Sequence, residues 1–309
     1  MQKVAVVDLQ RFLTRNSLEV RDVRAGVVAG TRRLLLGSSS SGEPTRVVSM
    51  AGVADAVPAV EREARNLAAL ADQLPESVRK TVGQVLDEVS ADGRTAVVLT
   101  AVRGLSVKRG GGADDRRAAE AVLAWLRDLW SATAGAPAPV DLGKRALEEL
   151  RARYAAVGGT PEMLETVQRS HGRLAEYSIP RVMTHGCLCA RHAYTEGGVV
   201  VGVDDWTGSA SSDPLLDLGS WVVRTRATEL AEVLAGGART ATGRAQRDFV
   251  ASGLEVWGIP AALWKDVLVL SRAELAVAAL RDGDFGAMSA LEQVTRKIPR
   301  QRMPRRRVT

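Results

Sequence analysis

His185-Gly186-Cys187-Leu188-Cys189-Ala190-Arg191-His192 is the stretch on which the reading of this chain turns. Within eight residues it gathers both cysteines and two of the three histidines of a 309-residue sequence. A short hairpin centred on Glu196-Gly197-Gly198 follows, then an apolar strand, Val199-Val200-Val201-Gly202-Val203, ending in Asp204-Asp205-Trp206. Next stands Ser212-Asp213-Pro214-Leu215-Leu216-Asp217-Leu218, where a helix is expected to begin. Side chains that carry chemistry are thus placed on a loop, at a strand end and on a helix start.

Working outward, residues 18–50 read as strands. Leu18–Arg24, Arg32–Leu36 and Thr45–Met50 are separated by turns rich in glycine and serine,. Residues 56–73 read as a helix, with Val60, Ala64, Leu67, Ala68 and Leu70 at a spacing of three to four,. Lys80–Val89 and Thr95–Val102 read as two more strands around Ala91-Asp92-Gly93. A charged, glycine-rich linker, Arg109 to Asp115, precedes a helical remainder: 116–133, 142–157, 161–177, 215–235, 239–257 and 260–281. Thr160-Pro161-Glu162 supplies a cap and a first-turn proline for the third of these helical spans,. His171 is expected on a solvated helix surface, and Trp125, Trp130, Trp221, Trp257 and Trp264 in core or groove packing.

Composition excludes several classes. With 46% apolar and 25% charged residues, the bulk of the chain is neither disordered nor fibrous,. Two cysteines build no disulfide framework, so a cytoplasmic location is expected,. No stretch is apolar for long enough to span a membrane, and the start, MQKVAVVDLQRFL, does not read as a signal peptide,. The net charge of +6 belongs to one end: Arg296, Lys297, Arg300, Arg302, Arg305, Arg306 and Arg307 leave the remainder within one charge of neutral. No aromatic residue interleaves with these arginines, so sequence-specific nucleic-acid binding has no support,. Lysine is scarce, and none lies between Lys3 and Lys80.

The succession of loop, hairpin, strand, Asp-Trp and Asp-Pro resembles the aminoglycoside phosphotransferase/choline kinase-like family, a branch of the protein-kinase-like fold. That family's loop reads H-G-D-L-x-x-x-N, and His185, Gly186, Leu188, Asp205-Trp206, Asp213-Pro214 and Asp217-Leu218 match its pattern over about residues 18–290. The resemblance implies an α+β, bilobed fold. Residues 1–104 would form a β-rich N-lobe, a five-stranded sheet with one main helix. Residues 105–295 would form a mostly helical C-lobe, and 296–309 a basic tail. It implies ATP and Mg²⁺ as cofactors, held weakly, with the nucleotide or a small molecule in an interlobe cleft.

The departures fall on the chemistry. Cys187 stands where the family has the aspartate that orients the substrate hydroxyl, and His192 where it has a metal-holding asparagine. Ser49 stands where the third strand carries a phosphate-pairing lysine. Glu63 matches the glutamate that would pair with that lysine, and Asp205 the metal-binding aspartate. By the resemblance, Ser49, Glu63, Leu99, Arg191 and Asp205 line the nucleotide site, and Asp205 and His192 are the metal positions. Serine does not replace a lysine charge, and cysteine is a poor group for orienting a hydroxyl. Magnesium prefers oxygen over imidazole. Phosphoryl transfer rests on positioning and charge, so losing these parts together removes many powers of ten in rate.

Three readings stand. In the first the chain is a pseudokinase, its fold kept for binding, regulating or scaffolding another enzyme, with a protein partner and a biosynthetic enzyme as its setting. In the second it is a divergent phosphotransferase or an enzyme of altered chemistry using Cys187, His185 and Asp205 as catalytic groups, the thiol beside the imidazole being the nucleophile. In the third His185, Cys187, Cys189 and His192 bind zinc, although H-x-C-x-C-x-x-H is not a usual spacing. The first is the reading adopted from sequence.

Overall fold

The computed structural model describes residues 7–26, 28–38, 44–91, 93–103, 105–107, 113–153, 156, 159–223, 230, 233–234, 240–281 and 286–296. The chain divides into two compact units, Met1–Ala138 with Ser178–Trp221, and Pro139–Tyr177 with Val222–Thr309.

The first unit is built on a six-stranded sheet. Its strands are β1 (Val7–Asp8), β2 (Leu18–Ala25), β3 (Thr31–Ser38), β4 (Arg46–Ala51), β5 (Val85–Ala91) and β6 (Arg94–Thr100), in the order β1-β5-β6-β4-β3-β2. Five of them lie where the sequence places strands. β1 is an addition: it pairs parallel to β5, and Asp8 then caps α1 (Leu9–Arg15) by accepting from the Gln10 N–H at 2.9 Å,. The stretch read only as too short for a targeting segment therefore closes one sheet edge.

Strand alternation sorts the sheet's two faces. On one face Leu36, Val48, Met50, Ala96 and Val98 pack with Phe12 and Leu13 of α1. The other face is covered by α2 (Val57–Gln73), which has a proline in its first turn and buries Val60, Glu63, Ala64 and Leu67,. In the ladder Arg33 is directly opposite Ser49, and Ser49 opposite Val97, so these three form one row on the α2 face,.

After α3 (Glu76–Arg79), Val82 makes a parallel bridge to Val203. β7 (Leu105–Ser106) precedes α4 (Ala113–Thr133), which buries Trp125, Leu126, Leu129 and Trp130. The indole N–H of Trp125 donates to the Thr81 hydroxyl at 2.8 Å, tying α4 to the segment leaving the sheet.

The second unit is helical. It contains α5 (Lys144–Arg153), α6 (Pro161–Leu174) and, following α7 (Leu215–Val223) in the chain, α8 (Ala241–Glu255), α9 (Trp264–Arg281) and α10 (Gly286–Arg296). Thr160 caps α6 as expected, its hydroxyl accepting from the Met163 N–H at 3.3 Å. α9 is buried over much of its surface, covering Val267, Leu268, Val269, Leu270, Ala273, Ala276 and Val277, and α5, α6, α8 and α10 pack on it. α10 is a helix the periodicity reading did not reach. His171 corrects an expectation: it is half-buried, and its Nδ1 lies 3.2 Å from the Leu142 carbonyl. Trp125, Trp130 and Trp221 are core residues as expected. The basic tail after Arg296, part of the glycine-rich linker and part of the serine-rich turn lie outside the described residues. Among the described residues no helix is long and apolar enough to cross a membrane.

Candidate active site

The remaining strands are β8 (Pro137–Pro139), β9 (Ser178–Pro180), β10 (Val182–Thr184), β11 (Ala193–Glu196), β12 (Val199–Val203) and β13 (Ala210–Ser212). β10 pairs antiparallel with β13, and β11 with β12, so the loop 185–192 runs beside residues 204–209. Gly186 is needed for this approach. Its φ is +80°, and a Cβ there would stand 2.1 Å from the Gly208 carbonyl oxygen. Asp217, in the first turns of α7, fastens the loop from behind: its two carboxylate oxygens accept from the backbone N–H groups of His185 and Gly186, each at 2.9 Å. Burial outweighs those bonds and raises this carboxyl to about 7,.

His185 is fully engaged with backbone. Its Nε2 lies 2.7 Å from the Asp204 carbonyl oxygen and therefore donates, which leaves Nδ1 to accept the Cys187 N–H at 3.4 Å. Burial, with the nearby charge of His192, lowers this histidine to about 4. It is a neutral support for the loop and offers no nitrogen to the Cys187 thiol proton. The Cys187 sulfur packs on Gly208, where an added Cβ would lie 3.2 Å from it. Neither cysteine is in a disulfide.

The acidic side of the site meets a cation that the sequence reading did not identify. Arg33 reaches from β3 with Nη1 2.8 Å from Glu63 Oε1 and 3.6 Å from Asp205 Oδ1. All three side chains are buried. Burial works against the guanidinium charge, but the fields of Glu63 and Asp205 outweigh it and raise its pKa further. Glu63 Oε1 also accepts from the Trp206 N–H at 2.9 Å, joining α2 to the Asp-Trp segment. Asp205 sits at φ 61°, ψ 66°, in the left-handed region, and its Oδ1 accepts from the Thr207 hydroxyl at 2.6 Å,. Ser49, in the lysine's place, is buried, and its hydroxyl finds no hydrogen-bond partner among the described residues. The absence of lysine from residues 4–79 therefore does not leave the site without a cation: an arginine one strand over provides it.

A second cluster adjoins the first. His192 Nδ1 is 2.9 Å from Asp204 Oδ1, and the Tyr194 hydroxyl donates to Asp204 Oδ2 at 3.0 Å. Burial alone would lower His192, but the bonds to Asp204 and Cys189 outweigh it and raise it to about 9. For Cys189, burial opposes ionisation while the bond to His192 favours it, leaving the thiol at about 7. Arg191 is exposed, with Nε 3.2 Å from His192 Nε2.

Of the residues expected at the nucleotide site, Ser49, Glu63 and Asp205 come together around Arg33. Leu99 lies on the same sheet face, opposite Val47, as buried packing. Arg191 stands with His192. The donor set does not fit magnesium. Asp205 already faces a guanidinium and accepts a hydroxyl hydrogen, and His192 is bonded to Asp204 and offers nitrogen where the ion prefers oxygen,. Among the described residues no three His, Cys, Asp or Glu side chains converge as a metal would require, and both nitrogens of His185 are spent on the backbone. Arg33, Asp204 and Asp217 are the residues to which sequence reasoning gave no role. The two-residue period of β3, with Leu34 and Leu36 on one face, is the signal that places Arg33 on the other.

The sequence model of the phosphotransferase enzyme family matches residues 29–250. No curated protein matches. Several solved structures share the fold. A thermostable mutant of aminoglycoside phosphotransferase APH(4)-Ia, in ternary complex with ADP and hygromycin B, superposes with a TM-score of 0.61 at 12% identity, covering 94% of this chain and 98% of that one. Macrolide 2'-phosphotransferase MphH from Brachybacterium faecium gives 0.57 at 18%, covering 95% and 99%. Aminoglycoside phosphotransferase APH(3'')-Id from Streptomyces rimosus gives 0.54 at 19%, covering 93% and 99%. At these identities the neighbours establish the architecture. Together with the family match over most of the chain, they show that this protein belongs to the phosphotransferase enzyme family and has its protein-kinase-like fold.

Proposed function

We propose that this chain is a pseudokinase of its family: it keeps the fold, has lost ordinary phosphotransfer, and works by binding, as a regulatory or scaffolding partner of another enzyme. One observation carries the reading. The loop position that holds the family's hydroxyl-orienting aspartate is Cys187, and its sulfur is packed on Gly208 in a loop, 185–192, that contains no carboxylate. A positioned base contributes about 10²–10⁴ in rate, and a cysteine sulfur, a weak hydrogen-bond donor and acceptor, does not replace a carboxylate in orienting an alcohol. The loss of a fitting magnesium set points the same way. His185, two residues before Cys187, is turned to backbone on both nitrogens, which weighs against a Cys187–His185 nucleophile.

The test is ATP consumption by the purified chain with Mg²⁺ and candidate alcohol acceptors. No turnover above background is expected. Turnover at about 1–100 s⁻¹, the ordinary kinase range, overturns the reading. In cells Cys187→Ala should support the wild-type phenotype, and a null phenotype with the folded variant would assign chemistry to that sulfur.

A further inference from the structure

We infer that Arg33 is the phosphate-binding residue of this site, and that it takes the phosphates of a nucleoside triphosphate without a divalent metal. The inference rests on the reading of the site as the family's nucleotide site, and is separate from the claim that transfer is lost.

Three features support it. First is position. Antiparallel partners directly opposite in a ladder project to the same face, so Arg33 delivers its charge to the surface from which a residue at 49 would deliver one,. It also closes on the same carboxylate, Glu63, that matches the family's lysine partner. Second is the use of the guanidinium. Among the described residues its hydrogen bond runs through Nη1 alone, leaving Nε and Nη2 as donors, while the side chain remains 7% exposed. A planar fork held at one corner by a carboxylate is pre-oriented to give two parallel N–H bonds to a phosphate. Third is the hydroxyl of Ser49. It is buried across the ladder from Arg33 and has no partner among the described residues, so the fold leaves a polar group beside the guanidinium unsatisfied,.

The metal-free part follows from Asp205. In this site that carboxylate meets a fixed cation at 3.6 Å and a hydroxyl donor at 2.6 Å. A metal ion at Oδ1 would have to compete with both, and His192, itself bonded to Asp204, offers it nitrogen where magnesium prefers oxygen,. The arginine thus stands in both for a lysine on β4 and for a cation on Asp205.

The probe is ATP, titrated calorimetrically into the full chain in excess EDTA and again in excess Mg²⁺. Binding is expected in EDTA, with affinity within about tenfold of that in Mg²⁺. Arg33→Met is expected to lose ATP at least about tenfold. Because it strands two buried carboxylates, it is paired with Arg33→Met/Ser49→Lys, in which a lysine on β4 restores the charge and recovers binding. Arg33→Lys keeps the buried charge and should bind several-fold more weakly for want of the fork. No binding in EDTA, or undiminished binding by folded Arg33→Met or by Arg33→Lys, overturns the inference. Absence of binding under both conditions would make Arg33 an internal counter-ion and leave the loss of transfer standing. ATP turnover would remove the pseudokinase reading and leave Arg33 to be judged by its own variants.

Discussion

Arg33 on β3 and Ser49 on β4 stand directly opposite each other, and from the face they share the guanidinium of Arg33 pairs with Glu63 at 2.8 Å. The relation depends on strand register. A slip of one residue would turn Arg33 to the α1 face and leave Glu63 and Asp205 buried without a counter-ion.

Removing that cation should be costly to folding. Breaking one partner of a buried ionic cluster leaves uncompensated charge and costs about 3–5 kcal/mol. Arg33→Met is expected to lower the urea midpoint accordingly, and Arg33→Met/Ser49→Lys to recover a substantial part. Equal stability of wild type and Arg33→Met would show that the cluster contributes nothing to the fold.

The loop geometry predicts a sharp contrast between two glycines with positive φ. At Gly186 an added methyl meets the Gly208 carbonyl, whereas at Gly197, φ +59°, it meets nothing within 4 Å. Gly197→Ala should cost about 1 kcal/mol from backbone conformation alone. Gly186→Ala should cost several-fold more in thermal unfolding, and the two costs being alike would contradict the packing described here.

The two thiols should differ in reactivity. Cys187 has no imidazole nitrogen available from His185, whereas Cys189 bonds His192 and is lowered to about 7,. Mass spectrometry of iodoacetamide labelling at pH 7.5 should find Cys189 modified before Cys187 in the folded chain. The reverse order refutes the assignment.

The Cys189–His192 pair also governs pH dependence. His192, raised to about 9, contributes stability that is full below about 6.5 and is lost as pH rises through 9,. Cys189, lowered to about 7, contributes stability that is full above its ordinary value near 9 and is lost as pH falls through 7,. Between pH 7 and 9 the slopes oppose, so the wild type should change little. Cys189→Ser removes the thiol's share, and its stability should fall by about 1–2 kcal/mol over that range, read from urea midpoints. A flat profile for the variant would show that His192 keeps no raised pKa.

The architecture was legible because its signals are local. Apolar runs bounded by turn residues marked β2 to β6, a three-to-four spacing marked α2, and the order of loop, hairpin, Asp-Trp and Asp-Pro indicated the succession of elements around the site. β1 and α10 escaped because a two-residue strand and a short terminal helix draw their stability from what they pack on. His171 was misplaced for a related reason: a helix surface position becomes half-buried only when another segment brings a carbonyl to it.

The sequence by itself determined which groups are missing, since Cys187, His192 and Ser49 can be read against a motif one residue at a time. It also showed that no lysine is near enough in the chain to replace Ser49. Only the tertiary structure decided that a buried cation stands among these residues. Arg33 and Ser49 are 16 positions apart in the chain, Glu63 lies on a helix and Asp205 far along it, and strand register and packing alone bring them within ion-pair distance. The same holds for His185: its residue type announced a catalytic loop, but the direction of its two nitrogens, both spent on backbone, was settled by how residues 185–187 fold against Asp204.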